Sequence, residues 1–235
     1  MPVTNIKHAF WSGVRDGWPY IVVVVPFATL FGVVAIEAGL TLAQTLTFSI
    51  LVIAGASQFA ALQLMLENAA ISFILAAALA VNLRMAMYSA ALAPHLGNAA
   101  LWQRILIGYL NFDQSYILSV AKYENEPDML ITAKVAYFMG VALTIAPLWS
   151  LFTYFGVRVG SVIPVDLEVS FVLPIAFLSM VAPMIKSPAH IAAAFVSIIT
   201  ALALAGLPAG SGLLIAAVCA MATGVIVETV LEQKT

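Results

Sequence analysis

Residues 19–38 read PYIVVVVPFATLFGVVAIEA, twenty residues in which Glu37 is the one charged side chain. As an α-helix this stretch would reach about 30 Å, the thickness of the hydrocarbon core of a bilayer. Working outward from it, further apolar stretches follow at short intervals, near 43–66, 69–93, 104–121, 130–155, 167–186, 188–206 and 209–229. The composition agrees. Of 235 residues, 63% are hydrophobic and 9% are charged, where a soluble domain carries about 25% charge. So few charges could not cover a soluble surface, and disordered chains are polar rather than apolar. A transmembrane β-barrel would show alternating segments of about 10 residues, much shorter than these runs. The sequence therefore predicts an all-α membrane protein, a polytopic bundle of 7 or 8 transmembrane helices.

The net charge of −2 leaves no basic footprint for nucleic acid. The single cysteine, Cys219, allows no intrachain disulfide, and no metal site or cofactor is expected. One transmembrane domain over 1–235 is expected. Its first segment, 1–18, has Ile6, Phe10, Trp11, Val14 and Trp18 at near-helical spacing beside Lys7, His8, Arg15 and Asp16, a pattern that suits a helix in the membrane interface. With the N-terminus inside, Lys7, Arg15, Lys122, Lys134, Lys186 and Lys234 fall on the cytoplasmic side and Arg104 and Arg158 outside. That bias predicts a cytoplasmic N-terminus in a multi-pass inner-membrane protein.

Polar side chains within the spans are the informative ones, because hydrocarbon makes them costly unless they face protein or water. Arg84 lies well inside the third span, in VNLRMAMYS (Val81–Ser89), with Asn82 on a different face and Tyr88 one turn along the same face. A guanidinium holds five donors in a fixed fork and suits a carboxylate, of a substrate or of the protein. Asp113 lies among Asn111, Gln114, Ser115 and Tyr116 in the fourth span. It could hold a substrate ammonium, carry a coupling proton, or pair with Arg84 and join two helices. In the second span, Ala54-Gly55-Ala56-Ser57-Gln58 interrupts the apolar run. A broken helix there would expose backbone groups to a ligand through Ser57 and Gln58, whereas small residues would equally serve tight helix packing. Pro26–Phe31 and Pro174–Ser179 correspond loosely, which suggests a weak internal repeat.

These residues resemble the AzlC family, the azaleucine-resistance branched-chain amino acid permeases. The resemblance runs through Ala54–Ala61, Asn82-Leu83-Arg84, Tyr88-Ser89, Ala91–Pro94, Trp102-Gln103-Arg104, the Asp113 segment and Asp166–Pro183. It implies the large subunit of a two-component exporter, working with a small membrane subunit of the AzlD type. The implied substrates are branched-chain amino acids, in some members also methionine, with export driven by the proton-motive force. Two departures stand out. Met85 occupies a position where members often have His, and Phe112-Asp113-Gln114 stands where they often have Thr-Asp-Glu. Asp113 is left as the one acid in that span.

The residue types fit such a transporter. Arg84 or the N–H groups of a broken helix would take the carboxylate of a zwitterionic amino acid and Asp113 its ammonium, with Ser57, Gln58, Asn82 and Tyr88 completing the site. Two other classes compete. An intramembrane hydrolase would use Ser57 as nucleophile and His190 as base, although no second glycine follows Ser57. A passive channel or structural subunit would need no coupling residue at all.

Overall fold

The computed structural model describes residues 5–160, 185, 187–204, 206 and 211–232. Among them the secondary structure is helical, with no strand: α1 (Ile6–Gly17), a 3-10 turn (Trp18–Tyr20), α2 (Ile21–Glu37), α3 (Leu42–Leu51), α4 (Gly55–Leu66), α5 (Ile71–Leu96), α6 (Leu101–Tyr109), α7 (Asp113–Asn125), α8 (Ile131–Gly160), α9 (Pro188–Ala203) and α10 (Ser211–Glu232). The expected span 167–186 (Ile185 apart), the second copy of the suggested repeat, the Asp166–Pro183 part of the resemblance, and Lys234 lie outside the described residues.

Three of the described helices are long and apolar enough to cross a bilayer alone: Ile6–Glu37, Ile71–Leu96 and Ile131–Gly160. The N-terminal helix continues through the 3-10 turn into α2, so that the first of these runs for 32 residues. Asn5 starts it, its side-chain oxygen accepting from the Lys7 and His8 amides. The expected boundary at Pro94 does not hold: α5 continues to Leu96 with Pro94 inside it. A proline that close to the end removes one donor from the last turns and leaves the helix intact, and Gly97 N then closes on Ala93 O at 2.8 Å.

Two stretches expected as single spans are broken. The first break was foreshadowed by Gly55–Gln58: α3 stops at Leu51, residues 52–54 are non-helical, and α4 restarts at Gly55. The second is a correction. Residues 104–121 do not form one helix, because α6 ends at Tyr109 and α7 begins at Asp113. Asp113 is therefore the first residue of a helix rather than a mid-helix acid. The two restarts share a device. Ser57, third residue of α4, donates its hydroxyl to Ala54 O at 2.9 Å. Ser115, third residue of α7, lies 2.8 Å from Phe112 O and accepts from Phe112 N at 3.0 Å. A short hydroxyl side chain competes for backbone groups in this way at helix starts, so serine at this position favours a restart over continuation.

The chain divides into two compact units, residues 1–59 with 78–163, and residues 60–77 with 164–235. The first is organised around α8, against which α1 and α2 both pack. Glycines set both crossings. A Cβ on Gly13 would strike Tyr137 O and one on Gly140 would strike Phe10 O. Along α2, a Cβ on Gly32 would strike Thr153 O and one on Gly156 would strike Thr29 O. Reciprocal small residues let the backbones touch, which is how helices associate where lipid is as apolar as the side chains. Tyr137 of α8 donates to Asp16 of α1 at 2.9 Å. Between the crossings and the first break lies an aromatic core: Phe31 stacks on Trp149 with ring centroids 6.1 Å apart, and Phe59 meets Phe27 and Phe31 edge-on at 5.0 and 5.7 Å. In the second unit α9 and α10 pack together, Gly224 facing Ala193.

Candidate functional site

On α5, Leu79, Leu83 and Met87 follow one another at four-residue intervals and are exposed. This apolar stripe turns the offset positions, Arg84 and Tyr88, towards the restart of α7. There Arg84 Nη1 lies 3.0 Å from Asp113 Oδ2, and the Tyr88 hydroxyl donates to Asp113 Oδ1 at 2.9 Å. Two side chains one turn apart on α5 thus hold the two oxygens of one carboxylate. Tyr88 is itself held by Tyr116, one turn into α7, with ring centroids 4.1 Å apart and an 8° interplanar angle. Asp113 also sits in the first turn of α7, where the unpaired N–H groups favour negative charge.

The cluster is partly open. The Arg84 and Asp113 side chains retain 26% and 36% of their exposure, so protein does not fully enclose the pair. Arg84 Nε is buried and has no hydrogen-bond partner among the described residues; Asn82 Oδ1, two residues earlier on another face of α5, has none there either. Hydrogen-bonding capacity therefore remains beside a charge pair that is neutral as a whole. Below it, Asn111 Nδ2 donates to Ser89 Oγ at 3.1 Å across the same break.

The expected site residues fall into two groups. Arg84, Tyr88 and Asp113 come together, and Arg84 and Asp113 pair with each other, one of the alternatives that the residue types left open. Ser57 and Gln58 lie at the first break instead. Ser57 is buried and its hydroxyl closes on Ala54 O, while Gln58 Nε2 reaches back to Phe48 O at 3.1 Å, leaving Gln58 Oε1 buried and without a partner among the described residues. No hydrogen bond or ion pair among the described residues joins the two groups. A hydroxyl donated to the backbone and sealed from solvent is poorly disposed to act as a nucleophile, so this geometry lends the hydrolase reading nothing. No group of three or more His, Cys, Asp or Glu side chains that could hold a metal ion occurs among the described residues.

Sequence reasoning missed the bond between the breaks, from the Tyr109 hydroxyl to Ile50 O, and the contact between Ser89 and Asn111. The second had a signal, since Ser89 follows Tyr88 and Asn111 precedes Asp113 by two. The first had none, because an interfacial-looking tyrosine at a helix end is common.

Apolar helices of bilayer length, half-length helices with central breaks and an ion pair at one break define an all-α membrane protein. Residues 19–163 match the family described as AzlC protein, a stretch that includes every residue of both groups. The chain belongs to the AzlC family. It is also 28% identical, over 196 residues, to an "Uncharacterized membrane protein" of Archaeoglobus fulgidus, with 79% of this chain and 80% of that one covered. No solved structure matches.

Proposed function

We propose that the chain is the large subunit of an exporter for branched-chain amino acids, leucine, isoleucine and valine, with methionine as a further substrate. In this reading it sits in the bacterial cytoplasmic membrane with its N-terminus inside, works with a small AzlD-type subunit, and is driven by the proton-motive force. The observation that carries the proposal is the Arg84–Asp113 pair with Tyr88, set at a helix break and partly open.

A neutral pair of opposite charges is a template for a zwitterion. The substrate carboxylate would replace Asp113 on the Arg84 fork, and the ammonium would take the place of Arg84 at Asp113. Arg84 Nε, without a hydrogen-bond partner among the described residues, offers a further donor for that exchange. Protonation of Asp113 would cancel its charge and release Arg84, which ties proton movement to opening of the pair. Gln58 would complete the site from the first break, where its Oε1 has no hydrogen-bond partner among the described residues, while the Ser57 hydroxyl, closed on Ala54 O, shapes the restart of α4.

The experiment is efflux of leucine, isoleucine, valine and methionine from dipeptide-loaded cells of a host lacking its own exporter, with the chain expressed alone and with an AzlD-type subunit. Export that requires the partner and collapses with the proton gradient is the expected result. No export of any of the four from an assembled pair would overturn it. Flux that ignores the gradient would point to a passive conduit.

A further inference from the structure

Between the end of α5 and α6 lies a groove of about 280 Å³. Leu92, Leu96 and Ile107 form its floor and are buried. Ser89, Ala93 and Gly97 recur at four-residue intervals along its α5 edge and are exposed, as are Arg104 and Gly108 on the α6 edge. From Ser89 to Gly97 a helix advances about 12 Å. The volume over that length corresponds to a cross-section of about 23 Å², the girth of one extended hydrocarbon chain rather than of a ring.

The two ends of the groove differ. Asn111 Nδ2 donates to Ser89 Oγ at 3.1 Å and closes the inner one. At the other, Arg104 Nη1 rests on Gly97 O at 3.2 Å, and its guanidinium joins no ion pair among the described residues. Trp102, two residues earlier, is exposed, and an exposed tryptophan beside an arginine suits the depth of lipid head groups. His95, two residues before Gly97, lies with its ring 5.4 Å from that of Tyr123, whose hydroxyl donates to Lys134 O at 2.7 Å. Arg104, expected on the outer side, therefore stands at the same end of the first unit as Lys122 and Lys134. With the N-terminus inside, that end faces the cytoplasmic leaflet, whose anionic lipids attract basic side chains.

We propose that this groove is a seat for one acyl chain of an anionic phospholipid whose phosphate lies on Arg104. The chain runs along Leu92, Leu96 and Ile107, and the phosphate takes guanidinium N–H groups that Gly97 O leaves free. Burial of the chain gives an affinity common to phospholipids of the same tails. The unpaired charge of Arg104 adds a preference for a head group that is negative overall, since phosphatidylcholine brings its own cation to the same phosphate. Ser89, at the inner end, directly follows Tyr88 in α5, so an occupied groove buttresses the helix that carries Arg84 and Tyr88. The leaflet follows from the orientation proposed above; the seat itself does not depend on it.

The test mixes the purified full chain in detergent with palmitoyl-oleoyl phosphatidylglycerol or phosphatidylcholine and counts the lipid retained by native mass spectrometry. The parent, Arg104→Gln, Arg15→Gln and Gly108→Leu are compared, with unfolding midpoints recorded alongside. The parent should bind phosphatidylglycerol about fivefold more tightly than phosphatidylcholine, the worth of one basic side chain near an anionic head group. Arg104→Gln should lose that preference, and Arg15→Gln, an exposed cation at the same end, should keep it. Gly108 lines the groove and a Cβ there meets nothing within 4 Å, so a leucine fits into the space meant for the chain. Gly108→Leu should weaken both lipids about tenfold at an unchanged midpoint. Equal binding of the two lipids by the parent, parent-like preference in Arg104→Gln, or parent-like binding by Gly108→Leu overturns the seat. Displacement of the lipid by glycerol phosphate would assign Arg104 to a free phosphate and overturn it as well. None of these readouts involves export, so the seat stands or falls apart from the transport reading.

Discussion

Tyr109, the last residue of α6, donates its phenolic hydrogen to the carbonyl of Ile50, one residue before the end of α3. The bond joins one helix break to the other. It also supplies a donor to one of the carbonyls that the termination of α3 leaves without an intrahelical partner, as every helix end does. In a membrane such a group has few alternatives, because lipid offers no donors.

Tyr109→Phe keeps the ring and removes the donor. The expected cost is about 1 kcal/mol for a lost hydrogen bond, which for a chain of this size is a fall of about 2–4 °C in the unfolding midpoint. Export should slow as well if the two breaks move together. A midpoint and a rate both equal to the parent's would mean that the tie contributes nothing.

Arg84 and Asp113 are coupled by distance, and a double-mutant cycle measures how much. The pair is neither fully exposed nor fully buried, so a coupling of about 1–3 kcal/mol is expected, between the values typical of surface and buried pairs. Arg84→Gln alone should destabilise more than Arg84→Gln with Asp113→Asn, since the single change leaves a carboxylate without its cation. Export should be lost in all three variants. A double variant that exports as the parent does would make the pair a helix clamp and nothing more.

Much of this was legible in the residues. Helix content and membrane character follow from runs such as Pro19–Ala38, in which length and lack of charge leave one solution. The i, i+4 spacing of Arg84 and Tyr88 put both on one face, and the carboxylate they share was among the partners the residue types allowed. The break before Gly55 was signalled by small and polar residues in an apolar run. The break before Asp113 was not, because Leu110-Asn111-Phe112 contains neither glycine nor proline. What ends α6 there is Ser115 folding back onto Leu110 O and Phe112 O, a contact that competes with helix continuation and leaves no mark in hydropathy. That Ser57 and Gln58 bond to the backbone of the first break and not to Arg84 was invisible for a related reason, as hydropathy locates residues in depth and not around the bundle.

The glycine crossings make a prediction about assembly of the first unit. A methyl on Gly140 or Gly156 would overlap the Phe10 or Thr29 carbonyl, and backbone cannot move aside as a side-chain tip can. Gly140→Ala and Gly156→Ala should each cost about 1–3 kcal/mol through forced separation of helices, read as a lower midpoint or loss of folded protein. Gly108→Ala is the matched control, with open space at its Cβ, and should be neutral or slightly stabilising as alanine is the better helix former.

Gln58 separates two roles that one side chain could play. Its amide nitrogen donates to Phe48 O across the first break while its oxygen is buried without a partner among the described residues. If the residue only holds the break, Gln58→Leu loses one hydrogen bond and costs about 1–2 kcal/mol, while the transport KM of the folded fraction stays as it was. If Oε1 receives a substrate ammonium, KM rises several-fold in the same variant, beyond any change in the amount of folded protein. Gln58→Glu sharpens the distinction. It keeps the acceptor, removes the donor to Phe48 O and adds a negative charge that an ammonium would favour. A binding role therefore predicts that Glu retains substrate affinity better than Leu, whereas a purely structural role predicts that both lose stability and neither changes KM. Measuring initial efflux rates against internal leucine concentration for the three proteins, normalised to folded protein, decides between them.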